Sequence, residues 1–146
     1  MINEEKHRVV TGTIGDDIHG LGMKIIERAL DTAGFHVVPL GIQTPQEDFI
    51  KAAVEANASA ILISSMSGHA RMLCEGMRGR CIEAGLKDIV LYIGGKLDLG
   101  DEEWSVTKAL FLKMGYDGVY SSDTMPGEII VDLTEDLTAR TNIKGT

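Results

Sequence analysis

The sequence predicts a doubly wound α/β fold: five parallel strands in one sheet, with helices on both faces. Three observations predict it. Strand-like apolar runs alternate with helical periodicity along the chain. Ala60-Ile61-Leu62-Ile63-Ser64 is almost wholly apolar, as a central strand covered on both faces must be. At 146 residues the chain has room for one domain of this kind. For that length the flavodoxin-like strand order 2-1-3-4-5 is expected, with a single domain over 1–146, a core over about 7–137 and a polar, frayed tail over 139–146.

The elements follow in order. The first strand runs from about Val9 to Gly15. A helix follows with Ile25, Ile26, Ala29, Leu30 and Ala33 on one face, closed by Gly34. Phe35 to Leu40 reads as the second strand. Thr44-Pro45-Gln46-Glu47 has the form of a helix start, with Thr44 as N-cap, proline in the first turn and Glu47 at the third position. That helix buries Phe49, Ile50, Ala53 and Val54. The third strand is Ala60 to Ser64, and one helix is expected from about Arg71 to Ala84, ending at Gly85. Ile89 to Ile93 is the fourth strand, leading into Gly94-Gly95. Asp101 to Met114 forms the fourth helix, with Trp104 as a packing residue. Gly118-Val119-Tyr120 is a short fifth strand, and Pro126-Gly127 opens the last helix, with Ile129, Ile130, Leu133 and Leu137 on one face.

Composition narrows the function. The net charge is −8, from 14 basic and 22 acidic residues. Nucleic-acid and anionic-membrane binding need a basic surface, so neither partner is expected. No stretch is long and apolar enough to span a membrane, and the first residues are no signal peptide, so a cytoplasmic protein is expected. Cys74 and Cys81 are seven apart and share a helical face with Leu73, Met77 and Ala84. They read as buried, reduced thiols.

In such folds ligands bind at the carboxyl ends of the strands. The unusual residues of this chain all follow strands: Asp16-Asp17-Ile18-His19-Gly20 after the first, Ser64-Ser65-Met66-Ser67-Gly68-His69 after the third, Gly94-Gly95-Lys96 after the fourth, and Ser121-Ser122-Asp123-Thr124 after the fifth. They should converge on one edge. A phosphate-binding P-loop is excluded, because Leu21-Gly22 stands where Lys-Ser/Thr is required. A dinucleotide fingerprint is excluded because Ile25 follows Gly20-x-Gly22 where a third glycine belongs. A phosphoacceptor receiver domain needs an aspartate ending the third strand and a lysine ending the fifth; this chain has Ser64 and Ser121.

Asp17-x-His19-x-x-Gly22 remains. A neutral imidazole can ligate a metal through one nitrogen, and a nearby carboxylate can accept the proton on the other. One histidine cannot build a zinc site. It can supply one axial bond to a metal already held by a macrocycle, with Gly20 and Gly22 letting a large flat ligand approach.

Asp17-Ile18-His19-Gly20-Leu21-Gly22 resembles the Asp-x-His-x-x-Gly motif of cobalamin-binding domains. Ser64-Ser65-Met66 stands where that family has Ser-x-Leu, and Gly94-Gly95 where it has Gly-Gly. The resemblance covers about residues 7 to 137, and over long runs it is strongest to the small subunits of methylaspartate (glutamate) mutases. It implies a cobalamin-binding subunit of an adenosylcobalamin-dependent carbon-skeleton mutase, converting glutamate to 3-methylaspartate by a radical rearrangement. It implies base-off binding, with His19 as lower axial cobalt ligand and Asp17 hydrogen-bonded to it. It implies a pocket for the displaced nucleotide tail lined by Ser64, Gly94 and Gly95, with Lys96 and Leu97 after them. Asp16, Ile18, Gly20, Gly22, Ser65, Met66 and Thr124 complete the expected cofactor contacts, and His69 is a candidate contact to corrin or partner. It also implies a large barrel-type partner subunit, two copies of each in the assembly, with glutamate bound by that partner and no activity in this chain alone. Lys96 stands where close relatives usually have Asn, and Ser121 to Met125 replaces a Pro-Gly-Thr-type turn. These departures keep a second expectation open: a stand-alone corrinoid carrier, or a cobalamin-sensing module serving another partner.

Overall fold

The computed structural model describes residues 7–15, 21–66 and 69–144. Its elements are β1 (Arg8–Thr13), α1 (Leu21–Thr32), β2 (His36–Pro39), α2 (Gln46–Ala56), β3 (Ala60–Ser65), α3 (Ala70–Cys74), α4 (Met77–Glu83), β4 (Val90–Gly95), α5 (Trp104–Lys113), β5 (Gly118–Ser121) and α6 (Pro126–Lys144). The five strands form one sheet in the expected order, β2-β1-β3-β4-β5. Every pairing is parallel. Thr13 pairs with Ser64, Ser64 with Gly94, and Gly94 with Tyr120, so these residues lie in one row across the carboxyl edge.

Successive strand residues point to opposite faces, and the two faces hold two cores. On one, Val10, Ile61, Ile63, Leu91, Ile93 and Val119 pack with Phe49 of α2, Cys74 of α3, Met77 and Cys81 of α4, and Phe111 of α5. On the other, Val9, Ala60, Leu62, Val90 and Tyr92 pack with Met23 and Leu30 of α1 and with Ile129, Leu133 and Leu137 of α6. Both cysteines are buried and unpaired by disulfide, as expected. Burial pushes the Cys74 thiol up to about 12.

The helix expected over 71–84 is two helices. Glu75 is extended and Gly76 is left-handed, with φ 81°, and this ends α3 and starts α4 on a new axis. The broken turn is satisfied from α2: Gln46 Nε2 donates to the carbonyls of Leu73 (2.5 Å) and Glu75 (2.9 Å). Thr44 is not the cap of α2, which begins after Pro45 and has no side-chain cap. Instead Thr44 forms a parallel bridge with Ile14, and its amide donates to Thr13 O at 2.9 Å. The stronger demand is for backbone partners where β1 leaves the sheet.

The fourth expected helix, here α5, starts at Trp104 rather than Asp101: the backbone at Glu103 is extended, and the Glu102 carboxylate accepts hydrogen bonds from Arg71 and Thr107. The tail expected to fray from Ala139 instead continues α6 to Lys144. Arg140 anchors it, donating through Nε to Asp88 O at 2.7 Å and pairing with Asp117 at 3.2 Å. Among the described residues no helix is long and apolar enough to cross a membrane.

Candidate functional site

The α1/α6 face is filled near the start of the strands and open near their carboxyl ends. A cavity of about 580 Å³ lies there between the sheet, α1 and α6. Its floor is alternate residues of three strands: Leu62 and Ser64 of β3, Tyr92 and Gly94 of β4, and Tyr120 of β5. Gly22, Met23, Ile25 and Ile26 of α1 form one wall, and Pro126 and Ile129 of α6 the other. Ser121, Ser122 and Thr124 close the β5 end, and Met66 and Gly95 stand at the rim.

The sequence makes this space by shrinking side chains. Ser64 and Gly94 follow Leu62 and Tyr92 on the same face. A Cβ on Gly94 would meet Tyr120 only at 3.4 Å, an ordinary contact, so its methyl would occupy the cavity without disturbing its neighbours. Gly22 is more telling. It sits in the first turn of α1, where a Cβ would meet nothing within 4 Å. Among the described residues nothing demands glycine at 22; a ligand in close approach would. Gly95 is the opposite case. Its φ is 120°, and a Cβ would lie 2.1 Å from Ser65 O, so the packing of β4 on β3 demands glycine.

Tyr92 and Tyr120 meet edge to face, with centroids 5.2 Å apart. Their hydroxyls donate to Asp136 and Asp132, one helical turn apart on α6. The two phenols thereby pin α6 to β4 and β5 and set one wall of the cavity. Burial, then the hydrogen bonds to these aspartates, pushes both phenols above their ordinary range. They remain neutral donors while the fold stands.

Of the expected cofactor contacts, Gly22, Ser64, Met66, Gly94, Gly95 and Thr124 line the cavity. Three do not. Ser65 is fully buried and its Oγ has no hydrogen-bond partner. Strand alternation turns it toward the opposite layer. Lys96 is exposed and outside the lining. Leu97 is 1 % exposed and belongs to the core of the α2–α5 face, because the positive φ of Gly95 turns the chain out of the strand. Asp16, Asp17, Ile18, His19 and Gly20 lie outside the described residues; they join the end of β1 to α1, whose second residue, Gly22, lines the cavity. His69 is exposed just before α3 on the same edge. Among the described residues no group of three His, Cys, Asp or Glu could hold a metal ion.

Sequence reasoning missed Met23, Ile26, Tyr92, Tyr120, Pro126 and Ile129 as cavity residues. Counting back by twos from Gly94 and Ser64 finds Tyr92 and Leu62. The α6 residues carry no such local signal.

Residues 7–122 match the B12 binding domain model. The glutamate mutase sigma subunit of Clostridium tetani is 47% identical over 133 residues, covering 91% of this chain and 97% of the relative. Sigma subunit 1 of glutamate mutase from Haloarcula marismortui is 46% identical over 129 residues, covering 88% and 85%. Among solved structures, a cobalamin-binding protein from Desulfitobacterium hafniense superposes with TM-score 0.75 at 20% identity. The match covers 90% of this chain and 60% of that one. A receiver domain of the Mycobacterium tuberculosis response regulator NarL superposes with TM-score 0.62 at 18% identity, covering 92% and 98%. At such identities the likeness is one of fold.

Proposed function

Because the chain belongs to the B12-binding domain family, we propose that it is the cobalamin-binding subunit of an adenosylcobalamin-dependent glutamate mutase. The observation that carries this reading is the one-sided apolar cavity at the carboxyl edge. Its Gly22 and Gly94 leave room that no neighbouring side chain requires.

The cavity fits a nucleotide tail. Leu62, Met23, Ile26, Tyr92 and Ile129 offer apolar surface to a flat base, and Ser64 offers a hydroxyl to its polar edge. With the tail there, the lower face of the corrin would be free for a protein ligand. His19 is the ligand we assign, with Asp17 accepting the proton on its other ring nitrogen and holding its tautomer. Gly20 and Gly22 give clearance, and Met66, Gly95 and Thr124 surround the entrance. The cofactor supplies the cobalt–carbon bond whose homolysis starts radical chemistry. This chain binds and orients it; glutamate is held by a large barrel subunit, in an assembly with two copies of each. The reaction is the rearrangement of glutamate to 3-methylaspartate.

Two measurements test this. Titration with adenosylcobalamin should give a base-off, histidine-ligated spectrum, and His19→Ala should abolish that signature. An unchanged signature in His19→Ala would remove His19 from the role. Addition of a competent large subunit and glutamate should then yield 3-methylaspartate. Cobalamin binding without product would leave the stand-alone carrier or sensor as the better account.

A further inference from the structure

Along the α1 side of β1, two threonine hydroxyls are buried. Thr11 is satisfied: its Oγ1 donates to Glu27 Oε2 of α1 at 2.6 Å. Thr13, two residues on and on the same face, is 1 % exposed, and its Oγ1 has no hydrogen-bond partner. Among the described residues no side chain of α1 bonds to it, and Gly22, in the first turn of that helix, has open space where a side chain would stand. Thr13 pairs in register with Ser64 of the cavity floor. Side chains of directly paired residues lie side by side. An unmade hydrogen bond on a buried hydroxyl is a cost to the fold. Valine has nearly the same shape without that cost.

We propose that Thr13 is a ligand-positioning residue: its hydroxyl is the second hydrogen-bonding group, beside Ser64, for the polar edge of the nucleotide tail in the cavity. This rests on the cobalamin-binding reading above. Thr13 adjoins the cavity through its strand partner Ser64 and stands just behind the lining, and Ser64 is the one hydroxyl on the floor and α1 sides that the lining itself carries besides the Tyr92 and Tyr120 phenols. The tail carries a ring nitrogen, freed when the base leaves cobalt, and ribose hydroxyls. Either accepts from a threonine hydroxyl.

The test compares the whole chain with Thr13→Val and Thr13→Ser, using cobalamin and cobinamide, a corrinoid that lacks the nucleotide tail. Thr13→Val should weaken cobalamin binding about five- to ten-fold, the worth of one net hydrogen bond. It should leave cobinamide binding unchanged and melt at or above the temperature of the unmodified chain. Thr13→Ser, which keeps the hydroxyl, should bind cobalamin within about two-fold of the unmodified chain. Equal cobalamin affinity in Thr13→Val, or equal loss for cobalamin and cobinamide, overturns the proposal while leaving cobalamin binding standing. An unmodified chain that binds no cobalamin overturns both.

Discussion

The two faces of the sheet are built from the same strands and have opposite contents. The α2–α5 face is filled to its end: Ile63 and Ile93 pack with Leu97, Phe111 and Phe49, all at most 2 % exposed. On the α1/α6 face the next residues along, Ser64 and Gly94, leave about 580 Å³ open beside them. Strand alternation alone separates the two. The difference teaches that both faces carry a core near the strand starts, while at the carboxyl ends only the α1/α6 face gives up packing for ligand space, within one set of hydrogen bonds.

Substitutions can break or sharpen that contrast. The largest effect belongs to the filled face. Phe111→Ala should cost about 3–5 kcal/mol, read by chemical denaturation, because a fully buried ring leaves a cavity behind. A loss under about 1 kcal/mol would mean that the carboxyl end of this face is not as tightly filled as the packing shows. Next comes Gly95→Ala, at the junction of both faces. The clash with Ser65 O and the positive φ should lower stability by about 3 kcal/mol.

Smaller is the cost of Tyr92→Phe, about 1–2 kcal/mol, since it unpins α6 from β4 at one of two points. The same variant should loosen the cavity wall and weaken cobalamin binding. Tyr120→Phe, whose hydrogen bond is exposed, should cost less. Smallest for stability is Gly94→Ala on the open face, within about 1 kcal/mol of the unmodified chain. Its cobalamin affinity should nevertheless fall at least about ten-fold, because the methyl occupies ligand space. Equal damage to stability and binding would erase the distinction between the faces.

Ionisation separates the faces little, because each holds buried neutral acids. Burial raises the Cys74 thiol from 9.0 to about 12. Tyr92, Tyr116 and Tyr120 are likewise raised, chiefly by burial. A raised pKa means that the neutral form is favoured in the fold. The associated stability is therefore complete below the ordinary thiol and phenol values and is lost as pH climbs through the folded ones. Tyrosinate absorbance should appear together with alkaline unfolding, not before it. At about pH 8 a thiol reagent should leave Cys74 untouched until denaturant is added.

Much of this was legible in the sequence. The strand order followed from alternation and length, and Ser64 and Gly94 were identified from their positions at strand ends. What was not legible depends on distant partners. The spacing of Leu73, Cys74, Met77 and Cys81 suits one helix, and the break at Gly76 is supported by Gln46, which lies outside any local window. Thr44 has the form of a helix cap, but the end of β1 claims its backbone. Leu97 follows a cavity glycine in sequence yet falls on the opposite face, because a positive φ at Gly95 redirects the chain. Tyr92 can be placed on the cavity floor by counting back from Gly94, but its reach to Asp136, which holds the α6 wall, has no local signal.

Strand alternation also bears on descent. Neighbouring positions such as Ile93 and Gly94 answer to different constraints, so a lineage can alter one without compensating at the other. The pocket of such a protein can drift toward a smaller or differently substituted guest through single changes at Ser64 or Gly94. Each intermediate keeps the packed layer beneath and so remains folded. The same sheet is a durable frame with a rewritable surface, and the two properties are inherited at alternate letters of the same short words.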